Sequence, residues 1–411
     1  MAQAYIELDT AIIGGGIAGL WLLNRLHQQG RHCALFERDA LGAGQTLASQ
    51  GMIHGGIKYT LAGALSGASE AIADMPRRWG DCFAGHGEID LSKAKLLSED
   101  FYMFSSKQSH SKISTFLASK LTRGRVEAVS EENLPEIFKG QSQAQVYKLL
   151  DIVVDTPSLL KVLSDPLSER IFKLPAEHRW QREGKTAVLV LNNNSDEPQA
   201  IRARNFIFCA GEGNAALLES LGLEKPAMQR RPLQQVCVKH KLPYRFYGHC
   251  MGAESTPRLT ISSHPCADGE QVWYLGGSLA ETGAKQHSED VIANAQRELR
   301  ELFPWLDFSD AEWRSLPINR AEPKQKGLVR PDKAFASRAE EVDNIIVGWP
   351  TKLALSPNFS DQAMALLPKT AIALTEDSLL PQLTKAEIAP APWDTLFASS
   401  NSRNSDMENV K

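Results

Sequence analysis

The sequence predicts an α/β protein in two parts. One is a Rossmann-like domain assembled from separated stretches of chain; the other is an inserted domain of mixed or antiparallel strands. Three observations carry that expectation. A short apolar run, Thr10 to Ile13, opens straight into a glycine-rich turn and a helical segment. A second strand–glycine–helix junction recurs much later, at Ile201 to Leu221. The stretch from Gln229 to Leu316 carries strand-like runs (VCVKHKL, RLTISSH, QVWYLGGSL) with turn signals between them.

The first junction is the most informative. Thr10 to Ile13 suits one buried strand and is too short for a helix. Gly14, Gly16 and Gly19 then keep the Gly-x-Gly-x-x-Gly spacing. Ile17 to Gln29 is amphipathic, with Leu20, Leu23 and Leu26 at helical spacing and Gly30 as a stop. His32 to Phe36 reads as a second strand ending on Glu37. Gly14 permits the tight turn, Gly16 lets the backbone approach a pyrophosphate, and Gly19 lets the helix pack on the strand. The free amides around Ile17 and Ala18, at the positive end of the helix, face the phosphates. Glu37 can accept hydrogen bonds from both ribose hydroxyls, and its charge argues against a 2′-phosphate. With all these parts in register the unit reads as a dinucleotide site, and an ordinary βαβ turn is the lesser alternative.

Composition sets the bounds. The chain has 411 residues, 43% hydrophobic and 23% charged, enough for two domains with ample core. A net charge of −4 and no basic block argue against nucleic acid as a partner. No apolar run approaches the ~18 residues of a transmembrane segment. MAQAYIELD leads directly into the first strand, so no secretory signal is expected. The six cysteines are scattered without a C-x-x-C pair; they read as reduced thiols of a cytoplasmic protein, with no metal site.

Further along, Leu41 to Leu65 is a loop of glycines and small residues, too long for a simple connection and therefore a functional candidate. Leu65 to Phe83 looks helical, with Pro76 in a first turn or at a kink, and Ala94 to Leu97 and Phe101 to Phe104 look like strands. Asp155-Thr156-Pro157 is a helix start. Ile201 to Cys209 is a strand running into Ala210-Gly211, followed by a helix over Ala215 to Leu221. Ser288 to Phe303 is an amphipathic helix, and INRAEPKQKGLVRPD reads as a basic loop. Asn344 to Val347 is a last buried strand ending at Gly348-Trp349-Pro350, and Ser356-Pro357 reads as the cap and first turn of the next helix.

Four of these pieces, taken in order, resemble the FAD-dependent oxidoreductases of the D-amino-acid oxidase and glycine oxidase superfamily: GGGIAG…FER, the loop with IHGGIKY, FIFCAGEGN, and NIIVGWPTKLALSP. IHGGIKY looks most like the branch holding 2-hydroxyglutarate dehydrogenases and the glycerol-3-phosphate enzymes. The resemblance implies a discontinuous FAD-binding domain (1–85, 150–228 and 326–388), a substrate domain (86–149 and 229–325) and a flexible tail (389–411). It implies FAD, held without a covalent bond, which takes a hydride from a carbon bearing a hydroxyl or amine. The substrate is then a small anion, a 2-hydroxy acid or an amino acid, and the electron acceptor is O2, a quinone or another carrier. An amine oxidase of glycine-oxidase type is the alternative. A flavin monooxygenase fits less well, since VGWPTK lacks the expected Gly-Asp-Ala, and a catalytically idle flavoprotein is disfavoured by His54 and Arg320.

Individual roles follow. His54, in the loop that by resemblance runs along the flavin, is the candidate base for a hydroxyl proton. A covalent flavin link and a plain loop hydrogen bond are its alternatives. Arg320 is the candidate clamp for a substrate carboxylate, because its fork grips both oxygens; Arg330 is its rival, with Arg230, Arg231 and Arg258 behind. Thr46 and Ser49 are expected on the pyrophosphate or ribityl chain, Arg38 near the adenosine, and Gly51, Ala210 and Gly211 where the chain passes close to the cofactor. Gly348, Thr351, Lys352 and Leu353 are expected at the N1/C2 edge of the flavin, with Lys352 supplying a full positive charge. Tyr59, Tyr247, His249, Tyr274 and Trp349 are candidate pocket aromatics, though each taken singly suits a core or sheet-face position better.

Overall fold

The computed structural model describes residues 4–55, 72–105, 126–141, 145–191, 199–252, 256–328, 331, 333–370 and 383–398. The first strand, Ala4–Ile13, lies inside a sheet whose five parallel strands run in the order Ile171–Lys173, Cys33–Glu37, Ala4–Ile13, Gln199–Phe208 and Ile345–Trp349. Phe335–Arg338 pairs antiparallel with the last of these, and the hairpin His178–Glu183/Thr186–Leu191 extends the first half of Gln199–Phe208. Side chains alternate across this sheet. Ile12, Leu35 and Ile207 face a helical layer made by Ile17–Gln28, Met75–Phe83, Thr156–Ser164 and Ser356–Ala365. Ile13, Phe36, Phe206 and Phe208 face the other way, onto Leu218 and Leu221. Burial on both faces explains why these strands are continuous apolar runs rather than alternating ones.

Register decides where the site lies. Ile13 is opposite both Phe36 and Phe208, so three parallel strands end together and release Gly14, Glu37 and Cys209 along one edge. That edge is the switch point at which open parallel sheets bind ligands.

A second sheet has the order Glu312–Pro323, Met228–His240, Gln271–Gly276, Leu259–Pro265, Gly248–Met251, Phe101–Ser105, Val146–Leu149 and Val126–Ala128. Among the described residues every pair in it is antiparallel except Gly248–Met251 with Phe101–Ser105. Val236, Val238 and Trp273 on one face pack against Val291, Ala295 and Leu299 of the Ser288–Leu302 helix. Leu233, Gln235 and Ile318 lie on the opposite face, toward the switch point.

Three expectations need correction. Residues Ile318 to Pro323 are not a loop: they complete the Glu312–Pro323 strand, paired along its whole length with Met228–His240. The basic and acidic residues there pair across the ladder, Arg231 gripping the buried Glu322 at 2.7 and 3.0 Å. Ser356 does not cap its helix; it is the first helical residue, and its hydroxyl donates to Leu353 O at 2.9 Å. Residues 389–398 are not a loose tail. Pro392–Leu396 is a short helix whose Trp393, 2% exposed, stacks on His264 at 4.4 Å and donates to Pro265 O. Asp155 does cap its helix, accepting from Ser158 N at 3.1 Å. Residues 65–71 of the expected Leu65–Phe83 helix lie outside the described residues, as do 399–411.

Candidate functional site

A cleft of about 510 Å³ runs along the switch point, floored by the first sheet and roofed by the second. Its floor starts at Gly14, whose φ of +115° and whose closeness to the Ala210 backbone leave no room for a side chain: a Cβ there would lie 2.6 Å from Ala210 Cα. Gly19 is fixed by packing, since a Cβ would come within 2.0 Å of Gly14 O. Gly16 differs from both. Its backbone is extended (φ −78°, ψ −177°), and an added Cβ would meet Thr46 Oγ1 alone, at 3.1 Å. The protein leaves space in front of Gly16 that it does not fill, at the N-terminus of the Ile17–Gln28 helix. The first-turn amides of a helix have no partner within it. Thr46 Oγ1 caps the Ile17 amide at 3.0 Å, while Ile17 and Ala18 themselves line the cleft.

Glu37 closes the far end. Its carboxylate accepts from Gly15 N at 2.6 Å and Asp39 N at 2.9 Å, which fixes its orientation and leaves acceptor sites for two hydroxyls. This arrangement fits an adenosine diphosphate: a cradle that a Cβ would fill, a helix N-terminus behind it, and an oriented acid beyond.

The cleft lining also carries cations and an imidazole. Met52–Ile53 pairs with Ile152–Val154 and delivers His54, 6% exposed, to the cleft wall; the next amide, Gly55 N, donates to the buried Asp151 carboxylate at 2.9 Å. Lys352, 9% exposed, enters from the other side. The turn that brings it there is bent at Thr351, a β-branched residue at φ +61° whose hydroxyl donates to Lys333 O at 3.0 Å. Such a conformation costs on the order of 1–3 kcal/mol, and the surrounding structure holds it. Leu353 follows at the start of a 3-10 turn and also lines the cleft. Arg320 reaches the roof with its guanidinium on Glu281 Oε1 at 3.2 Å and Arg231 O at 3.4 Å.

The other expected residues divide between the cleft and the surrounding structure. Arg38 stands at the rim, exposed and paired with Asp39. Ser49 is a turn residue, donating to Thr46 O at 2.8 Å, though it borders the cleft. Gly51 lines the cleft, and its own reason is close approach of Val154 O, 2.2 Å from where a Cβ would be. Ala210 and Gly211 line the cleft; Gly348 does not, being held by contact with Phe335 O and Phe359. Trp349 lines it and donates to Gly211 O at 2.9 Å. Tyr247, His249 and Tyr274 are buried in the second sheet, Tyr274 Oη donating to Ala48 O and His249 Nδ1 meeting Thr260 Oγ1, each at 2.8 Å. Among the rival arginines, Arg231 is taken by Glu322, Arg230 by Glu212 and Arg258 by Glu298 and Glu301. Arg330 and Tyr59 lie outside the described residues. The lining residues not anticipated include Gln45 and Gln50 and, from the second sheet, Leu233, Gln235, Ile318 and Asn319. Strand alternation signals Leu233 and Gln235, but only once the face toward the cleft is known.

Fold and cleft together define a nucleotide-dependent oxidoreductase with a parallel dinucleotide-binding sheet and an antiparallel roof. The chain belongs to the DAO family of FAD dependent oxidoreductases, whose profile matches residues 9–347. An FAD-dependent oxidoreductase of Pseudomonas aeruginosa is 45% identical over 402 residues, covering 97% of this chain and all of that protein. The crystal structure of the P. aeruginosa protein matches with a TM-score of 0.82 at 41% identity, over 97% of this chain and 100% of that one. Glycine oxidase from Geobacillus kaustophilus (TM-score 0.62, 16% identity, 93% of this chain and 100% of that one) shares the fold. So does L-α-glycerophosphate oxidase from Mycoplasma pneumoniae, solved with FAD bound (TM-score 0.61, 14% identity, 93% and 99%). The protein is an enzyme, and FAD is its cofactor. Among the described residues no helix is long and apolar enough to cross a membrane.

Proposed function

We propose that the enzyme oxidises a small anionic substrate at a carbon bearing a hydroxyl or amine, a 2-hydroxy acid or an amino acid. The observation that supports this reading is that His54, Lys352 and Arg320 line the same cleft as the glycine turn and Glu37. FAD, held without a covalent bond, supplies the hydride acceptor. Gly14, Gly16, Ile17, Ala18 and Glu37 hold its adenosine diphosphate half. His54 takes the hydroxyl proton as the hydride leaves, which its buried place on the cleft wall suits. Arg320 fixes the substrate's anionic group, and Lys352 favours negative charge at the adjoining edge of the cofactor. Electrons pass on to O2, a quinone or another carrier. All six cysteines are buried thiols, which supports a reducing compartment such as the cytoplasm.

The second reading, an amine oxidase like those named among the structural neighbours, has the same fold and differs in the substrate's nitrogen. One titration separates them. The purified holoenzyme is mixed anaerobically with hydroxy acids, amino acids and glycerol 3-phosphate while the flavin absorbance is followed. Bleaching by either class supports the proposal; hydroxy acids place the reaction at a hydroxyl-bearing carbon, and amino acids alone narrow it to the amine oxidase. His54→Ala is expected to slow reduction by an alcohol at least ~100-fold; an unchanged rate removes the base. Arg320→Ala and Arg330→Ala, compared side by side, show which arginine sets KM for the anion. Acid precipitation that leaves yellow flavin in the supernatant supports the non-covalent bond.

A further inference from the structure

Gln235 stands in the cleft roof on the Met228–His240 strand. Its cross-strand partner is Leu316, and the adjacent pair on the same face is Leu233 with Ile318, so its amide is framed by apolar side chains. It is 6% exposed, and its Oε1 is buried without a hydrogen-bond partner among the described residues. The neighbouring glutamines differ. Gln50, also buried at the cleft, donates to Tyr274 O at 2.7 Å; Gln45 accepts from Ala321 N, and Gln229 accepts from Gln325 N. Gln234, pointing to the far face, meets Ser288 Oγ at 3.0 Å. A buried amide acceptor left unsatisfied is costly, and apolar surroundings raise that cost. Leucine would fill the same place without it.

We propose that Gln235 Oε1 is a substrate-recognition group, which accepts a hydrogen bond from an N–H or O–H of the bound anion. The inference rests on the substrate class proposed above and sharpens it. The site selects carboxylates that carry a donor and rejects isosteres without one, because only the former satisfy the buried acceptor. Leu233 and Ile318 flank the contact and exclude water from it.

The test uses the FAD-loaded enzyme and Gln235→Leu. Flavin difference spectra are titrated with two matched pairs, glycolate against acetate and lactate against propionate. FAD affinity and melting temperature are measured in parallel. Wild type is expected to prefer the donor-bearing member of each pair. Gln235→Leu should reduce that preference about tenfold, bind FAD within twofold of wild type and melt no lower. A preference that survives the substitution overturns the inference while leaving the substrate class intact. Weaker FAD binding with the preference retained assigns the amide to the cofactor, and a lower melting temperature assigns it to the fold; either result overturns it. If FAD is bound but wild type takes up none of the four anions, the hydroxy-acid reading fails, and the role of Gln235 in recognising such an anion fails with it.

Discussion

Gly16→Ala separates the fold of the cradle from its use. At φ −78° and ψ −177° alanine is as comfortable as glycine, and its smaller loss of chain entropy favours folding by about 0.4–1 kcal/mol. The new methyl would lie 3.1 Å from Thr46 Oγ1, so that hydroxyl must yield by a few tenths of an ångström, at about 1 kcal/mol or less. The two effects nearly cancel, and the apoprotein should melt within a few degrees of wild type. FAD binding is another matter. The methyl occupies the space through which a pyrophosphate approaches the amides of Ile17 and Ala18. Loss of one charge-assisted hydrogen bond there, about 2–3 kcal/mol, weakens binding roughly 100-fold. Equilibrium dialysis of FAD against the folded apoprotein measures this. Affinity within threefold of wild type, with folding intact, would refute the placement of the pyrophosphate over Gly16. Gly19→Ala is the control: its Cβ meets Gly14 O at 2.0 Å, so it should fail to fold.

Two further outcomes follow from the second sheet. Burial lowers His264 to about 3 and His240 to about 4, against 6.5 when unfolded. Between those values the unfolded chain holds the extra protons. The stability that comes from keeping these rings neutral is therefore complete above pH 6.5 and is lost as pH falls toward 4 and then 3, at up to ~1.4 kcal/mol per pH unit for each ring. Melting curves from pH 7 to 4 should show this slope, and His264→Phe should remove about half of it; an unaltered slope contradicts the assignment. Trp393→Ala should cost about 3–5 kcal/mol by emptying the space against His264 and Tyr274. A loss under 1 kcal/mol in urea melts would mean that the segment merely rests on the sheet.

Legibility followed the range of the constraint. Gly14 to Glu37 was readable because turn, helix and acid constrain one another within a single βαβ unit. His54 and Lys352 were readable as cleft residues because His54 sits in the long glycine-rich loop and Lys352 closely follows the last strand of the parallel sheet. Leu233, Gln235 and Ile318 were not, since their place in the roof depends on a cross-strand register that no local pattern records. Arg320 to Pro323 looked like a loop because strand propensity is poor there; a twelve-residue ladder and the Arg231–Glu322 pair override it. Gly348 suggested a ring contact, but Phe335 and Phe359 explain it by packing alone. Trp393 was lost in a polar, proline-rich context, where one buried aromatic leaves no periodicity to detect.

The central sheet also sets a timetable for biosynthesis. Ala4–Ile13 is made well before Gln199–Phe208, the neighbour it must wait for, and Ile345–Trp349 must follow to complete the parallel array. At ~5–20 residues per second, the wait from the first strand to the last is roughly 20–70 s. During that time the glycine cradle hangs from an unfinished edge. Leu41 N and O bond Glu387 O and Ala389 N, and Trp393 docks beyond them, so the stitch beside the nucleotide end waits for a segment made after the whole parallel array. The nucleotide end of the cleft is therefore completed by contacts between stretches of chain that are far apart in sequence.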